Sequence, residues 1–381
     1  MTRSMGLSAV AAAVAAALTG AGLAGLAPPA QAQAPLLPPQ VQNGPVEHRR
    51  VTAIARDLAA LGAGDEPVWV GWTVPIAGGP RDLCNWYSSP SLAVRGFYAE
   101  AGQDRDSSTP QIPPATGPVP LEAGSGLVVL ARLVDGRLDR VRTLSDDCPI
   151  DAGGRAVYWL DGVTPATSLA WLDGLTAAAS DPSAPRTTLD ERRSIANAAV
   201  TAIAQHAAAD ADAMLERLAR GDGQSSVRRQ AATRLAAYRG AAGFDAIRRL
   251  IGDETDPAVR RSFISALGQT RQPGTAGALL ALARTDADER ARAEAVSAYA
   301  RAAGTAGIDD LLDILAGDPA LSVKRRAVTS LASMPGDAGV PHLIALARSR
   351  ADLALKKDAV TALTRSDDPR ARAFLEEIIK R

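Results

Sequence analysis

The sequence predicts a mainly α protein: a right-handed α-solenoid of six 32-residue helical pairs, preceded by a small α+β domain with an antiparallel hairpin. Three observations lead there. The second half repeats its apolar positions every 32 residues. The first half alternates apolar and polar residues in the manner of strands. Alanine is abundant and only 4% of residues are aromatic, which suits helices packed through small side chains.

The first 34 residues, "MTRSMGLSAVAAAVAAALTGAGLAGLAPPAQAQA", read as a signal peptide. Arg3 gives a basic head, an apolar run extends from Leu7 to about Leu18, and A-x-A sites end at Ala32 and Ala34. Cleavage is expected after Ala32 or Ala34, leaving an exported protein, periplasmic or secreted. Glycines at 20, 22 and 25 and Pro28-Pro29 argue against a permanent anchor. No later segment approaches the ~18 apolar residues that span a bilayer. Cys84 and Cys148 are the only cysteines, and an even count in an exported chain predicts one disulfide. Closing that loop is worth roughly 4 kcal/mol in the chain-entropy model.

Residues 35–46 are proline-rich and read as a flexible leader, and residues 47–179 as the small α+β domain. A short helix is expected over "EHRRVTAIARDLAAL". "VWVGWTVPI" alternates like a strand, and "LAVRGFYAEA" and "RAVYWLDGV" are further candidates. Asp135-Gly136 is a strong type I′ turn between two apolar runs, which predicts the hairpin. Thr164-Pro165 starts a helix over "ATSLAWLDGL". Residues 102–125, rich in Pro, Ser and Gly, read as a long loop, and 180–189 as a linker. All five tryptophans fall in this half and should build its core; Trp86-Tyr87 is a candidate recognition tip.

From 190 to 381 four apolar columns keep register. Ile195, Val227, Val259, Ala291, Val323 and Leu355 form one; Ile203, Leu235, Leu267, Tyr299, Leu331 and Leu363 a second. Leu215, Ile247, Leu279, Leu311, Leu343 and Leu375 form a third, with Leu218, Leu250, Leu282, Ile314, Leu346 and Ile378 three residues on. Neither helix of a pair can bury its apolar face alone, so the pairs must stack. "DPAVRRSFISALGQTRQPGTAGALLALARTD" resembles the HEAT repeat, in its short bacterial, bilin-lyase-like form, with a D-x-x-V-R…A-L-G…L-x-x-L course. The resemblance implies a curved scaffold that binds another protein.

A basic residue recurs near the start of each first helix, where the helix dipole disfavours it. At 100° per residue from Val259, the apolar face centres near 70°, with Arg260 at about 100° inside it and Arg261 at about 200° outside. Arg228, Arg260, Arg292, Lys324 and Lys356 therefore point toward the packed side and need partners. Asp256, Asp288 and Asp352 stand in N-cap position four residues ahead and are the expected acceptors. The resemblance implies such a structural ladder; Gln224 and Ala320 interrupt it, with Asp318 nearby. Arg229, Arg261, Arg325 and Lys357 read as a solvated outer stripe.

Charge excludes a dedicated nucleic-acid binder: Lys+Arg and Asp+Glu both total 42. The three histidines, His48, His206 and His342, lie far apart, and no His-Glu pair exists of the kind iron hydroxylases of this repeat class use. Nothing beyond the shared scaffold points to bilin chemistry. Asp146, Asp147 and Asp151 in "SDDCPIDAGG" match no calcium loop and read as a turn beside the disulfide. No metal, cofactor or catalytic residue is expected. A partner groove is expected on the second helices at Arg217, Arg220, Arg249, Arg284, Asp313 and Arg348; the column Arg217, Arg249, Ala281, Asp313, Ala345 and Glu377 drifts from basic to acidic. The expected function is that of an exported, non-catalytic scaffold for another protein. The alternative is an enzyme or ligand-binding activity in residues 47–179, with the solenoid as docking arm.

Overall fold

The computed structural model describes residues 36, 40–84, 86–89, 92–98, 124–177, 186–221 and 223–380. The signal segment, residues 102–123 of the long loop and residues 178–185 lie outside them, as do the side chains of Trp86 and Tyr87.

Strand β7, Gly126–Val134, organises the first half. It lies between β3, Val68–Pro75, and β8, Arg137–Ser145, antiparallel to both. The β7–β8 turn has φ of 49° at Asp135 and 71° at Gly136, as a primed hairpin turn requires. Strand β10, Val157–Asp161, runs parallel to β3, and β2, Val46–Arg50, runs parallel to β10, giving the sheet order β2-β10-β3-β7-β8. β7 is buried on both faces, hence its unbroken apolar run. Leu127, Val129, Ala131 and Leu133 face the helices. Val128 and Leu130 face a smaller core with Trp69, Phe97 and Trp159, which the Cys84–Cys148 disulfide closes.

Here the sequence reading needs two corrections. Residues 46–50 form an edge strand, not the start of a helix. Their side chains are all exposed, charged ones included, and such edges are protected by charge. The helix α1 begins only at Ile54, where Asp57 accepts the backbone N–H groups of Thr52 and Ala53 at 2.7 and 3.0 Å. The leader likewise contributes a two-residue strand, β1, Val41–Gln42, parallel to β9, Ile150–Asp151. "LAVRGFYAEA" holds two strands, β5, Leu92–Arg95, paired with β4, Trp86–Ser89, and β6, Phe97–Tyr98, parallel to β9.

After α2, Pro165–Ala177, come twelve helices. They are α3 Arg186–Gln205, α4 Asp210–Arg220, α5 Ser225–Tyr238, α6 Gly240–Asp253, α7 Pro257–Leu267, α8 Thr275–Thr285, α9 Glu289–Ala303, α10 Ile308–Gly317, α11 Leu321–Ala332, α12 Val340–Arg348, α13 Leu353–Leu363 and α14 Pro369–Ile379. α3 starts inside the segment read as a linker. The odd-numbered helices pack on one another in succession, from α3 on α5 to α11 on α13. Even-numbered ones form a second layer, with α4 on α6, α8 on α10 and α12 on α14. The columns at Val227 and Leu235, and at Leu215, are buried through most of the array. The fourth column is only partly so: Leu218, Leu282 and Leu346 are half-buried. In α14 the buried face has turned, so that Phe374 and Ala371 are inside while Ile378 is exposed.

One core runs from Ile54 under the sheet to Phe374. The sheet is joined to the first helix pair by backbone bonds, Ala77 N to Gln205 O at 2.7 Å and Ala207 N to Pro75 O at 3.0 Å. Trp72 packs edge-on against Trp171 with ring centres 5.1 Å apart, and its indole N–H donates to Ser168 at 2.9 Å. The sheet and α2 thus cover the apolar end of the helical array, the task of a capping repeat.

Close approach fixes glycine at the turn into α12. A Cβ at Gly339 would lie 1.9 Å from the Leu331 carbonyl oxygen. Gly339→Ala is expected to destabilise the protein by roughly 1–3 kcal/mol. Gly252→Ala, in α6, meets nothing within 4 Å and is expected to stabilise it by up to about 1 kcal/mol. Urea unfolding followed by circular dichroism measures both.

Candidate functional site

The misplaced basic residues sit beside the ends of other helices. Arg260, in the first turn of α7, donates through Nε to the Ile251 carbonyl at 3.0 Å, in the last turn of α6. It also reaches the carboxylate of Asp286, the C-cap of α8, at 2.9 Å. Arg292 repeats this, donating to the Asp286 carbonyl at 2.9 Å and to both oxygens of Asp318, at 2.8 and 3.2 Å. Arg228 bonds the Ala219 carbonyl at 2.9 Å and the carboxylate of Glu254. Each guanidinium therefore sits where helix dipoles favour a cation and unpaired carbonyls need a donor. Each ties a helix pair to the one before it. The carboxylates are almost wholly buried, Asp286 at 0% and Glu254 at 4% side-chain exposure.

The acceptors differ from those the sequence suggested. Asp256, Asp288 and Asp352 are N-caps, accepting from Ala258, Arg290 and Ala354 backbone N–H groups at 2.7, 3.0 and 2.7 Å. The carboxylates facing the arginines stand at Glu254, Asp286 and Asp318, one period apart and two residues before the N-cap position. An N-cap carboxylate turns back into its own helix, which leaves the preceding C-cap residue to face the neighbouring cation. Along α11 the rung thins: Lys324 reaches only the Ala316 carbonyl, at 3.4 Å. Among the described residues Lys356 has no ion-pair partner. On the outer stripe, Arg261 lies 3.7 Å from Asp288, and Arg325 binds Asp358 at 2.6 and 3.0 Å.

On the even-helix face, the six residues expected to form a partner groove are paired with one another's neighbours. Arg217 binds Asp173 of α2 at 2.5 Å. Arg249 binds Glu216 at 2.8 and 3.2 Å, and Arg220 binds Glu216 at 2.7 Å and also Asp253. Hydrogen bonds from Arg249 and Arg220 hold the Glu216 carboxyl down at about 2, against the partial burial that opposes ionisation. Arg284 binds Asp310 at 2.7 Å and lies 3.5 Å from Asp313, while Tyr299 donates to Asp310. Arg348 binds Glu377 at 2.5 Å and stacks on Phe374. The basic-to-acidic drift is thus met by charges of adjacent helices.

Two grooves open between even helices. One, of about 550 Å³ between α8 and α10, is walled by Arg284, Arg292, Asp313 and Asp318. The next, of about 480 Å³ between α10 and α12, is lined by Leu312, Leu315, Leu321, Leu346, Leu355 and Lys324, with Asp352 at its rim.

The remaining candidates lie apart from these faces. His48 contacts Asp161 at 3.1 Å on the surface. His342 is half-buried. Asp146 and Asp147 are buried beside the start of β7, where a Cβ at Gly126 would meet the Asp146 carboxylate at 2.5 Å. Asp151 accepts from Asn43 at 2.9 Å. Among the described residues no three potential metal ligands cluster. His206 was not singled out by sequence, since only tertiary contact gives it partners. Fully buried, it lies 3.1 Å through Nε2 from Ser168, and Arg239 donates to its carbonyl at 2.7 Å. Burial, then the nearby Arg239 charge, pushes its imidazole down to about 4.

A model of HEAT repeats matches residues 211–300 and 308–381. No curated protein matches the chain. Among solved structures, YibA of Escherichia coli is similar at 18% identity and TM-score 0.32, over 44% of this chain and 63% of that one. The chain therefore spans less than two thirds of YibA's length. Human deoxyhypusine hydroxylase in complex with glycerol is similar at 16% identity and TM-score 0.24, over 56% of this chain and 90% of the other. The complex of CpcE and CpcF of phycocyanin lyase from Nostoc sp. PCC7120 gives 16% identity and TM-score 0.28, over 56% and 86%.

Two outcomes are expected. Arg292→Ala strands the carboxylate of Asp318 and should destabilise by roughly 3 kcal/mol; denaturant unfolding of the variant beside Arg292→Ala/Asp318→Ala should show that most of this loss depends on the carboxylate. Second, the folded His206 value lies below the ordinary 6.5, so unfolding takes up a proton in acid. Its contribution is present above about pH 6.5 and is lost as pH falls to about 4, roughly 3 kcal/mol in all. The melting temperature against pH should lose this component in His206→Gln.

Proposed function

We propose that the chain, whose residues 211–300 and 308–381 match a model of HEAT repeats, is an exported scaffold that binds another protein through its helical array, with no catalysis of its own. In this reading the helices from α3 onward make six units of a right-handed solenoid. The observation that carries it is the locked even-helix face. Rungs and cross-helix ion pairs hold that face before any partner arrives, so little ordering entropy is lost on binding. The sheet and α2 stabilise one end of the array. Export rests on the N-terminal sequence and on the disulfide, which suits an oxidising compartment.

Affinity capture from envelope extract with the full chain as bait tests the scaffold reading. A protein retained near stoichiometrically, and released by salt, is the expected result; no retained protein above a resin control counts against it. N-terminal sequencing of the mature protein tests export. The first residue is expected to be Gln33 or Pro35, and an intact Met1 terminus contradicts it.

A further inference from the structure

The two grooves between even helices occupy equivalent places one period apart, but differ in chemistry. Stepping 32 residues on, Arg284 becomes Ala316, Asp313 becomes Ala345 and Asp318 becomes Arg350. The first groove closes on its own charges: Arg292 is answered by Asp318, and Arg284 by Asp310 and Asp313. In the second the arginine and both aspartates are gone and leucines line the space. Lys324 inherits the rung, yet the position that should carry its carboxylate holds Arg350. Lys356 stands on the next rung. Lys324 thus lines the groove with no carboxylate at its rung, and Asp352, the acid in the same lining, has an oxygen engaged by the Ala354 backbone N–H at 2.7 Å. Among the described residues neither Arg350 nor Lys356 has an ion-pair partner. Leu321 at the groove is 41% exposed, and Leu353 beside it 65%.

We propose that the groove between α10 and α12 docks an apolar segment of a partner protein that carries a carboxylate, which takes the ladder position left without an acid at Arg350. This rests on the scaffold reading and names the site and chemistry of its partner. The leucines give the segment's side chains a place out of water. Lys324, whose rung position carries Arg350 in place of an acid, supplies the charge that selects an acidic segment over a neutral or basic one and speeds encounter at low salt. The equivalent groove one unit back cannot take such a segment, because its cations are already matched.

A random dodecapeptide library displayed on phage, panned against the immobilised full chain, tests this. Enriched peptides should place Asp or Glu among Leu, Ile or Phe. Binding of a synthetic copy of the leading peptide should weaken at least tenfold in Leu321→Asp, an exposed position whose change leaves the fold intact. Arg350→Asp returns an acid to the rung: it should also weaken the peptide at least tenfold, while raising Tm by about 2 °C. Enrichment of peptides without acids, or of acidic peptides indifferent to both substitutions, overturns the proposal. So does flotation of the chain with phosphatidylglycerol vesicles, or self-association in sedimentation, if either depends on Leu321; the occupant is then a lipid surface or a second copy. No enriched peptide, with envelope proteins still captured, overturns the groove but leaves the scaffold; neither peptide nor protein bound overturns both.

Discussion

The fold depends on a guanidinium that must be satisfied from two sides. An arginine in the first turn of a helix meets the wrong end of that helix's dipole. It is stable there only because the end of the previous helix pair supplies a carbonyl and the end of its own second helix a carboxylate. Arg260 with Ile251 and Asp286, and Arg292 with Asp286 and Asp318, both satisfy this condition. The geometry holds only at one spacing between neighbouring pairs. Leucine columns supply the free energy of stacking, but apolar contact is not directional; the cation sets how far one pair slides on the next. Asp286 belongs to two rungs at once, giving its side chain to Arg260 and its carbonyl to Arg292, so adjacent rungs are coupled.

The first half is fused to this array. β7 buries both faces, one against Trp69 and the disulfide, the other against the helices. A helical array ends in an apolar surface that water must not reach, and here a mixed sheet with α2 takes that place. Trp72, Ser168 and His206 form the polar seam between the two, where a serine hydroxyl joins an indole to a buried imidazole. With all three side chains out of solvent, the seam orients the sheet on α3 and presents no hydroxyl to a substrate.

What the sequence revealed follows from how local each signal is. The 32-residue columns were legible because each position meets the same surroundings in every unit; likewise Asp135-Gly136, whose turn is set by two residues. Of the cations that the helical wheel marks, Arg228, Arg260 and Arg292 reach a carboxylate, whereas Lys324 reaches only the Ala316 carbonyl. The acceptors were not legible, because "DETDPAVRR" offers acids at Asp253, Glu254 and Asp256, and only the capping geometry decides which turns outward. Nothing local in "EHRRV" marks a strand, because its pairing with β10 lies more than a hundred residues away. The even-helix arginines lie on a surface, and apart from Glu216 beside Arg220 the acids that answer them come from other helices, at spacings of 26 to 44 residues.

A rung that reaches one helix pair back and ends on its own second helix has a bearing on how such a chain can change in length. Removing or adding a single residue in the first turn of a unit's first helix would rotate its cation by about 100° away from its acceptors. Removing or duplicating a whole unit would leave each guanidinium between a carbonyl and a carboxylate as before. The ladder therefore acts as a reading frame written in charge: steps of one complete helical pair are the ones that leave every rung intact.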